Sequence, residues 1–272
     1  GQPDARSTPT GVARRPLALP PDTDAVVFDM DGVVTDTAVV HAHAWKQLFD
    51  EYLQQRSRQT GEPFVPFDIG ADYRRYVDGK PRYDGVRDFL HSREIVVPEG
   101  GPGDAPDEET ICGLGNRKNL AFLDRLEADG AHAFGGAVDL VLALKRDGVA
   151  VAVISASRNM AVVLESVGLG DLFDARIDGV VADELKLPGK PDPAVFLEAA
   201  HRLAAEPRRT VVIEDAIAGV AAGHAGGFGL VVGVDRTDQA GTLREAGADV
   251  VVRDLGELWR PDEGPGTGED SH

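Results

Sequence analysis

Residues 25–36 read Ala25-Val26-Val27-Phe28-Asp29-Met30-Asp31-Gly32-Val33-Val34-Thr35-Asp36. An unbroken apolar run that stops on a carboxylate reads as a strand buried on both faces, because a half-exposed strand would alternate apolar with polar. The pattern recurs. Val149 to Ile154 (VAVAVI) stops at Ser155, and Thr210 to Ile213 stops at Glu214-Asp215. Leu230 to Val234 and Asp249 to Val252 complete the set. Helical patterns at Ala137–Arg146, Asn159–Val167, Pro193–Ala205 and Ile217–Ala225 lie between them. Strands alternating with helices through short loops predict an α/β fold with a doubly wound, Rossmann-like parallel sheet. Right-handed crossovers then set the strand carboxyl ends along one edge, where open sheets bind their ligands. Asp29/Asp31, Ser155/Ser157 and Glu214/Asp215 are all sent to that edge.

Residues 39–135 break the alternation: a helical pattern from Val39 to Leu53 is followed by polar segments, further helices and a Gly/Pro/Asp loop at 98–108. The expected organisation is a helical cap domain, 39–135, inserted into a discontinuous α/β catalytic core, 21–38 and 136–258. Residues 1–20 and 259–272 lack an apolar period and read as flexible tails.

The 272 residues are 42% hydrophobic and 27% charged, the balance of a globular protein. The formal net charge of −18, carried mainly by the body of the chain, argues against nucleic acid and anionic membranes as partners. No stretch approaches the roughly 18 apolar residues of a membrane span, and no signal-peptide pattern opens the chain. One cysteine, Cys112, excludes an intramolecular disulfide and suits a cytoplasmic location.

Asp29 and Asp31, two residues apart beyond a strand, address one site if the backbone turns at Gly32. An aspartate there can attack phosphorus, and a second can move the proton. Crowded carboxylates imply a cation, Mg²⁺. A calcium loop does not fit, because the twelfth position is Val40 rather than Glu; an Asp-rich turn remains an alternative. Glu214-Asp215 can face a metal or cap the following helix. Lys190, between Gly189 and Pro191, is presented by a stiff loop to a phosphate or stands in a surface turn. Ser155-Ala156-Ser157 offers hydroxyl and N–H donors for a phosphate, or simply a helix cap.

Together and in this order, the four motifs resemble those of the haloacid dehalogenase superfamily, over roughly residues 22–258. Within it the chain looks most like the β-phosphoglucomutase family. The resemblance rests on Asp31 to Thr37 with His41 and Trp45 following, Arg117-Lys118-Asn119, and Ser155-Ala156-Ser157. It implies Asp29 as nucleophile and Asp31 as acid and base. It implies a Mg²⁺ site of Asp29, the Asp31 carbonyl, Glu214 and Asp215, and a phosphoryl grip of Ser155 and Lys190. Gly32, Thr37, His41, Trp45, Lys118, Asn119, Ala156 and Ser157 would border the substrate, with Thr37 and His41 linking cap closure to Asp31. Gly79 and Arg82 match the cap loop that meets a distal phosphate.

The implied activity is interconversion of β-D-glucose 1-phosphate and glucose 6-phosphate through an aspartyl phosphate and a bisphosphate. The implied activator is glucose 1,6-bisphosphate, and the chain is expected to act as a monomer. The alternative is a phosphatase acting on a sugar phosphate or another small phosphomonoester. One position departs from the family pattern. Asp78 stands where a basic residue is common, with Lys80 as the candidate replacement for the lost charge.

Overall fold

The computed structural model describes residues 19–259, so the expected tails fall almost wholly outside the described residues. Six strands form one sheet: β1 (Ala25–Asp29), β2 (Ala150–Ile154), β3 (Ala175–Ile177), β4 (Thr210–Glu214), β5 (Leu230–Val234) and β6 (Val250–Val252). Every pairing is parallel, and the spatial order is β3-β2-β1-β4-β5-β6. β1 lies between β2 and β4, with Val27 beside Ala152 on one side and Val212 on the other. This is where the winding direction reverses, and the crevice of such sheets opens there.

Successive strand residues serve opposite faces. Val26 and Phe28 join one apolar cluster with Val151, Val153, Val211 and Ile213, whereas Val27 joins another with Ala152, Ile154 and Val212. Both faces being covered explains why these strands read as unbroken apolar runs. The first cluster is closed by α4 (Gly135–Arg146) and α5 (Met160–Ser166). The second is closed by α7 (Ala194–Arg202), α8 (Ile217–Ala225) and α9 (Ala240–Ala246).

Three helices fill the interval between β1 and α4: α1 (Thr37–Thr60), α2 (Arg82–Ser92) and α3 (Ile111–Asp129). A π-helical turn, Tyr73–Val77, precedes α2. This insert has its own apolar cluster, built on Trp45, Leu48, Phe49 and Tyr52 of α1 against Phe67, Phe89 and Leu114. Their spacing of three and four residues places the α1 members on one helix face. The rings of Trp45 and Phe49 stack with centroids 5.3 Å apart, and those of Phe49 and Phe89 lie 4.2 Å apart. The loop before α3 is tied internally: Thr110 Oγ1 donates to Asp104 Oδ2 at 2.6 Å and accepts from the Gly113 N–H at 2.9 Å, capping the helix.

Three short elements were not expected from the sequence. β3 has three residues with Arg176 at its centre and lies at the edge of the sheet, so no apolar run marks it. α6 (Gly179–Glu184) has no buried residue, and α9 buries only Leu243. Neither carries an amphipathic stripe long enough to read.

Candidate active site

Asp29, the last residue of β1, is 4% exposed. Its Oδ1 accepts from Lys190 Nζ at 3.0 Å, and the same ammonium donates to Glu214 Oε2 at 2.7 Å. Lys190 is therefore buried between two acids rather than standing in a surface turn. Burial, followed by the charge of Glu214, pushes the Asp29 carboxyl well above its usual range, against the pull of Lys190.

Gly32 makes the turn after β1 with φ 88°, and a Cβ there would fall 1.9 Å from Asp215 Oδ2. Only glycine lets this loop and the end of β4 approach so closely. Arg236 Nε, from beyond β5, donates to the Gly32 carbonyl at 3.0 Å.

Asp31 is held from three sides. Thr37 Oγ1 donates to its Oδ1 at 2.6 Å, Ser155 Oγ donates to its Oδ2 at 2.6 Å, and His41 Nε2 lies 3.1 Å from Oδ1. Burial raises this carboxyl, but the charge and hydrogen bond of His41 and the two hydroxyls outweigh it and hold the group below the usual carboxylate range. His41 stacks on Phe122 at 4.1 Å, and its Nδ1 faces Lys118 Nζ at 2.7 Å. Lys118 lies 4.8 Å from the centre of the Trp45 ring. Burial first, then the charge of Arg82, lowers Lys118 to about 7.

Asp29, Glu214 and Asp215 each offer an oxygen within 4.8 Å of the other two. Glu214 Oε1 accepts from the Asp215 and Ala216 N–H groups, both at 3.0 Å. Asp215 is 8% exposed, and its buried Oδ1 has no hydrogen-bond partner. It does not cap α8, whose N-cap is Ala216. Burial, then the charges of Asp78, Asp29 and Glu214, pushes it well up. Lys190 bonds two of these three buried acids, so their full ionisation needs further positive charge. A hard divalent cation with oxygen ligands, such as Mg²⁺, fits that donor set. Asp31 directs its side chain away from these three, to Thr37, His41 and Ser155.

A cavity of about 430 Å³ opens above Asp29 between the strand ends and the helical insert. Asp29, Asp31, His41, Trp45, Gly79, Arg82, Lys118, Asn119, Ser155, Ala156, Ser157 and Lys190 line it. Gly32, Thr37, Glu214 and Asp215 do not: Thr37 and Glu214 are buried, and Gly32 and Asp215 border a second cavity of about 210 Å³. Arg82 NH1 donates to Asn116 Oδ1 at 3.1 Å, and Tyr83 donates to the same oxygen at 2.8 Å. The Asn116 amide in turn donates to the Pro102 and Asp104 carbonyls, so the long loop before α3 orients Arg82. Lys80 also borders the cavity, but its ammonium is bound to Asp88 at 2.8 Å and does not restore a base at position 78.

Sequence reasoning missed several lining residues. Arg158 directly follows Ser155-Ala156-Ser157, a position that was readable, and adds positive charge to the cavity. Asn159 donates to Asn119 Oδ1 at 2.8 Å across the cavity wall. Tyr73 carried no local signal, and neither did Asn116, which does not line the cavity but holds Arg82.

Residues 23–227 match the model of the haloacid dehalogenase-like hydrolase family. The β-phosphoglucomutase of Mycobacterium tuberculosis is 51% identical over 250 residues, covering 91% of this chain and 95% of the relative. That of Bacillus subtilis is 30% identical over 237 residues, covering 86% and 91%. The crystal structure of β-phosphoglucomutase from Clostridium difficile superposes with a TM-score of 0.65 at 26% identity, covering 87% of this chain and 93% of that one. No helix of the described residues is long and apolar enough to cross a membrane.

Proposed function

We propose that this chain, which belongs to the haloacid dehalogenase-like hydrolase family, interconverts β-D-glucose 1-phosphate and glucose 6-phosphate. The helical insert acts as a cap, residues 39–135, over a catalytic core of 21–38 and 136–258. The observation that carries the reading is the pairing of two unlike aspartates at one cavity. Asp29 sits beside Lys190 at its floor, and Asp31 is kept ionised by His41, Ser155 and Thr37.

A divalent cation held by Asp29, Glu214, Asp215 and the Asp31 carbonyl would offset negative charge on the transferring phosphoryl group. The chain's own residues do the rest. Asp29 carries the phosphoryl as an aspartyl phosphate. Asp31 takes the proton of the C6 hydroxyl as that oxygen bonds to phosphorus and the bond from phosphorus to Asp29 breaks. The product of this half-reaction is glucose 1,6-bisphosphate. After the sugar turns over, Asp29 attacks the 1-phosphate, and the proton on Asp31 passes to the departing O1. Lys190 holds Asp29 and neutralises phosphoryl oxygens. Arg82, Lys118 and Arg158 provide positive charge for the phosphate that is not reacting. Closure of the cap keeps water from the aspartyl phosphate. Glucose 1,6-bisphosphate primes the cycle, and the monomer suffices for it.

A phosphatase reading, with water as acceptor, is favoured by one observation. The acid Asp78 stands in the substrate loop, and Lys80 is turned to Asp88. Phosphorus-labelled glucose 1,6-bisphosphate tests the mutase. Label should attach to wild-type protein, not to Asp29→Asn, and should move from there to β-glucose 1-phosphate. Transfer to water alone supports the phosphatase.

A further inference from the structure

Asp78 takes no part in the chemistry above, yet it stands beside the acids of the core. It follows the π-helical turn, and its N–H donates to the Tyr73 carbonyl at 2.9 Å. The next residue, Gly79, has φ 73°. A Cβ on it would stand 3.1 Å from the Ala216 Cβ and 3.8 Å from the Lys190 Cδ. The loop thus docks on the residue after Asp215 and on the lysine that joins Asp29 to Glu214. Asp78 lines both cavities, and Asp215 lines the smaller one with it. The partnerless, buried Oδ1 of Asp215 calls for a positive ligand among these groups.

We propose that Asp78, from the helical insert, stands as an outer acidic partner beside the cation site formed by Asp29, Glu214 and Asp215, so that cation binding and docking of the 78–82 loop favour each other. Without a cation, docking brings one more negative charge toward buried carboxylates and is opposed. A divalent cation among the core acids turns that repulsion into attraction. Linkage then requires the docked loop to hold the cation more tightly in return. The same loop carries Arg82, so the cation also places the arginine that faces a distal phosphate, well away from its own ligands. An acid, not the base common in the family, suits this role. The inference rests on the cation reading of the three core acids, but not on which sugar phosphate is the substrate.

Titration calorimetry with Mg²⁺ alone, on the full chain without sugar phosphate, tests it. Asp78→Asn should bind Mg²⁺ about tenfold more weakly, as expected for loss of an outer partner of a metal site. Asp78→Glu should bind nearly as the wild type does. Mg²⁺ should slow amide hydrogen exchange at residues 79–82 in the wild type and not in Asp78→Asn. Without Mg²⁺, Asp78→Asn should melt above the wild type; at saturating Mg²⁺ that advantage should vanish. Equal Mg²⁺ affinity of Asp78→Asn and wild type, with binding lost in Asp215→Asn, would overturn the Asp78 link and leave the core site standing. Unchanged binding in Asp215→Asn would overturn the cation reading and the link together.

Discussion

The ammonium of Lys118 stands 2.7 Å from Nδ1 of His41. A charged lysine can only donate, so while Lys118 is protonated Nδ1 accepts, and the ring proton lies on Nε2, directed at Asp31 3.1 Å away. A residue of α3 thereby sets the tautomer of a residue of α1, which orients an aspartate at the end of β1.

This relay has a pH signature. Lys118 sits at about 7 in the folded chain, lowered from 10.5 chiefly by burial. Between those values the unfolded chain binds more protons than the folded one, so stability rises with pH. The cost of burying the charge is complete below about pH 7 and gone above about pH 10.5. Lys118→Met should therefore gain stability relative to wild type at pH 6 and lose that gain by pH 10. The difference should be on the order of a few kcal/mol by urea unfolding. A pH-independent difference would contradict a buried, shifted lysine.

His41→Ala should lower kcat for the sugar phosphate about a hundredfold, the usual worth of a positioned acid–base group. Phosphorylation of the protein by acetyl phosphate, whose leaving group needs no proton, should fall far less. His41→Gln, which can still donate to Asp31, should recover part of the loss.

Arg82→Ala should impair phosphoryl transfer from glucose 1,6-bisphosphate much more than from acetyl phosphate, which has no distal phosphate. Equal losses would remove Arg82 from that subsite. Because Asn116 orients Arg82, Asn116→Ala should give a weaker form of the same pattern, mostly in KM.

Gly32→Ala should destabilise the fold by about 2 kcal/mol or more, since φ 88° strains any L side chain and the methyl would meet Asp215. Displacing Asp215 should also weaken Mg²⁺ binding. Normal Mg²⁺ affinity in this variant would show that the loop and Asp215 adjust independently.

The sheet was legible because burial on both faces leaves a mark: β1, β2, β4 and β5 are apolar runs, and those of β1 and β2 stop at Asp29 and Ser155, which line the crevice. β3 was not, because Ala175-Arg176-Ile177 at an edge needs no apolar run. Asp29, Ser155 and Glu214 were readable for the same reason, each being the polar stop of a buried strand. Lys190 had a surface turn as a fair alternative until its ammonium was seen between Asp29 and Glu214. Lys118, Arg82 and Gly79 came only through family resemblance, since they reach the cavity by the folding of helices onto the strand ends. Asn116 and the meeting of Asp78 and Asp215 at one cavity depend on that packing alone, and nothing local in the chain announces them.

The central claim is that Asp29 carries a phosphoryl group between two positions of one sugar and not to water. Phosphorus NMR of β-glucose 1-phosphate with the full chain, Mg²⁺ and a trace of glucose 1,6-bisphosphate tests it most directly. The expected spectrum shows glucose 6-phosphate growing at the rate β-glucose 1-phosphate declines, with no orthophosphate and no reaction by Asp29→Asn. Orthophosphate as the sole new signal would contradict the mutase and establish hydrolysis in its place.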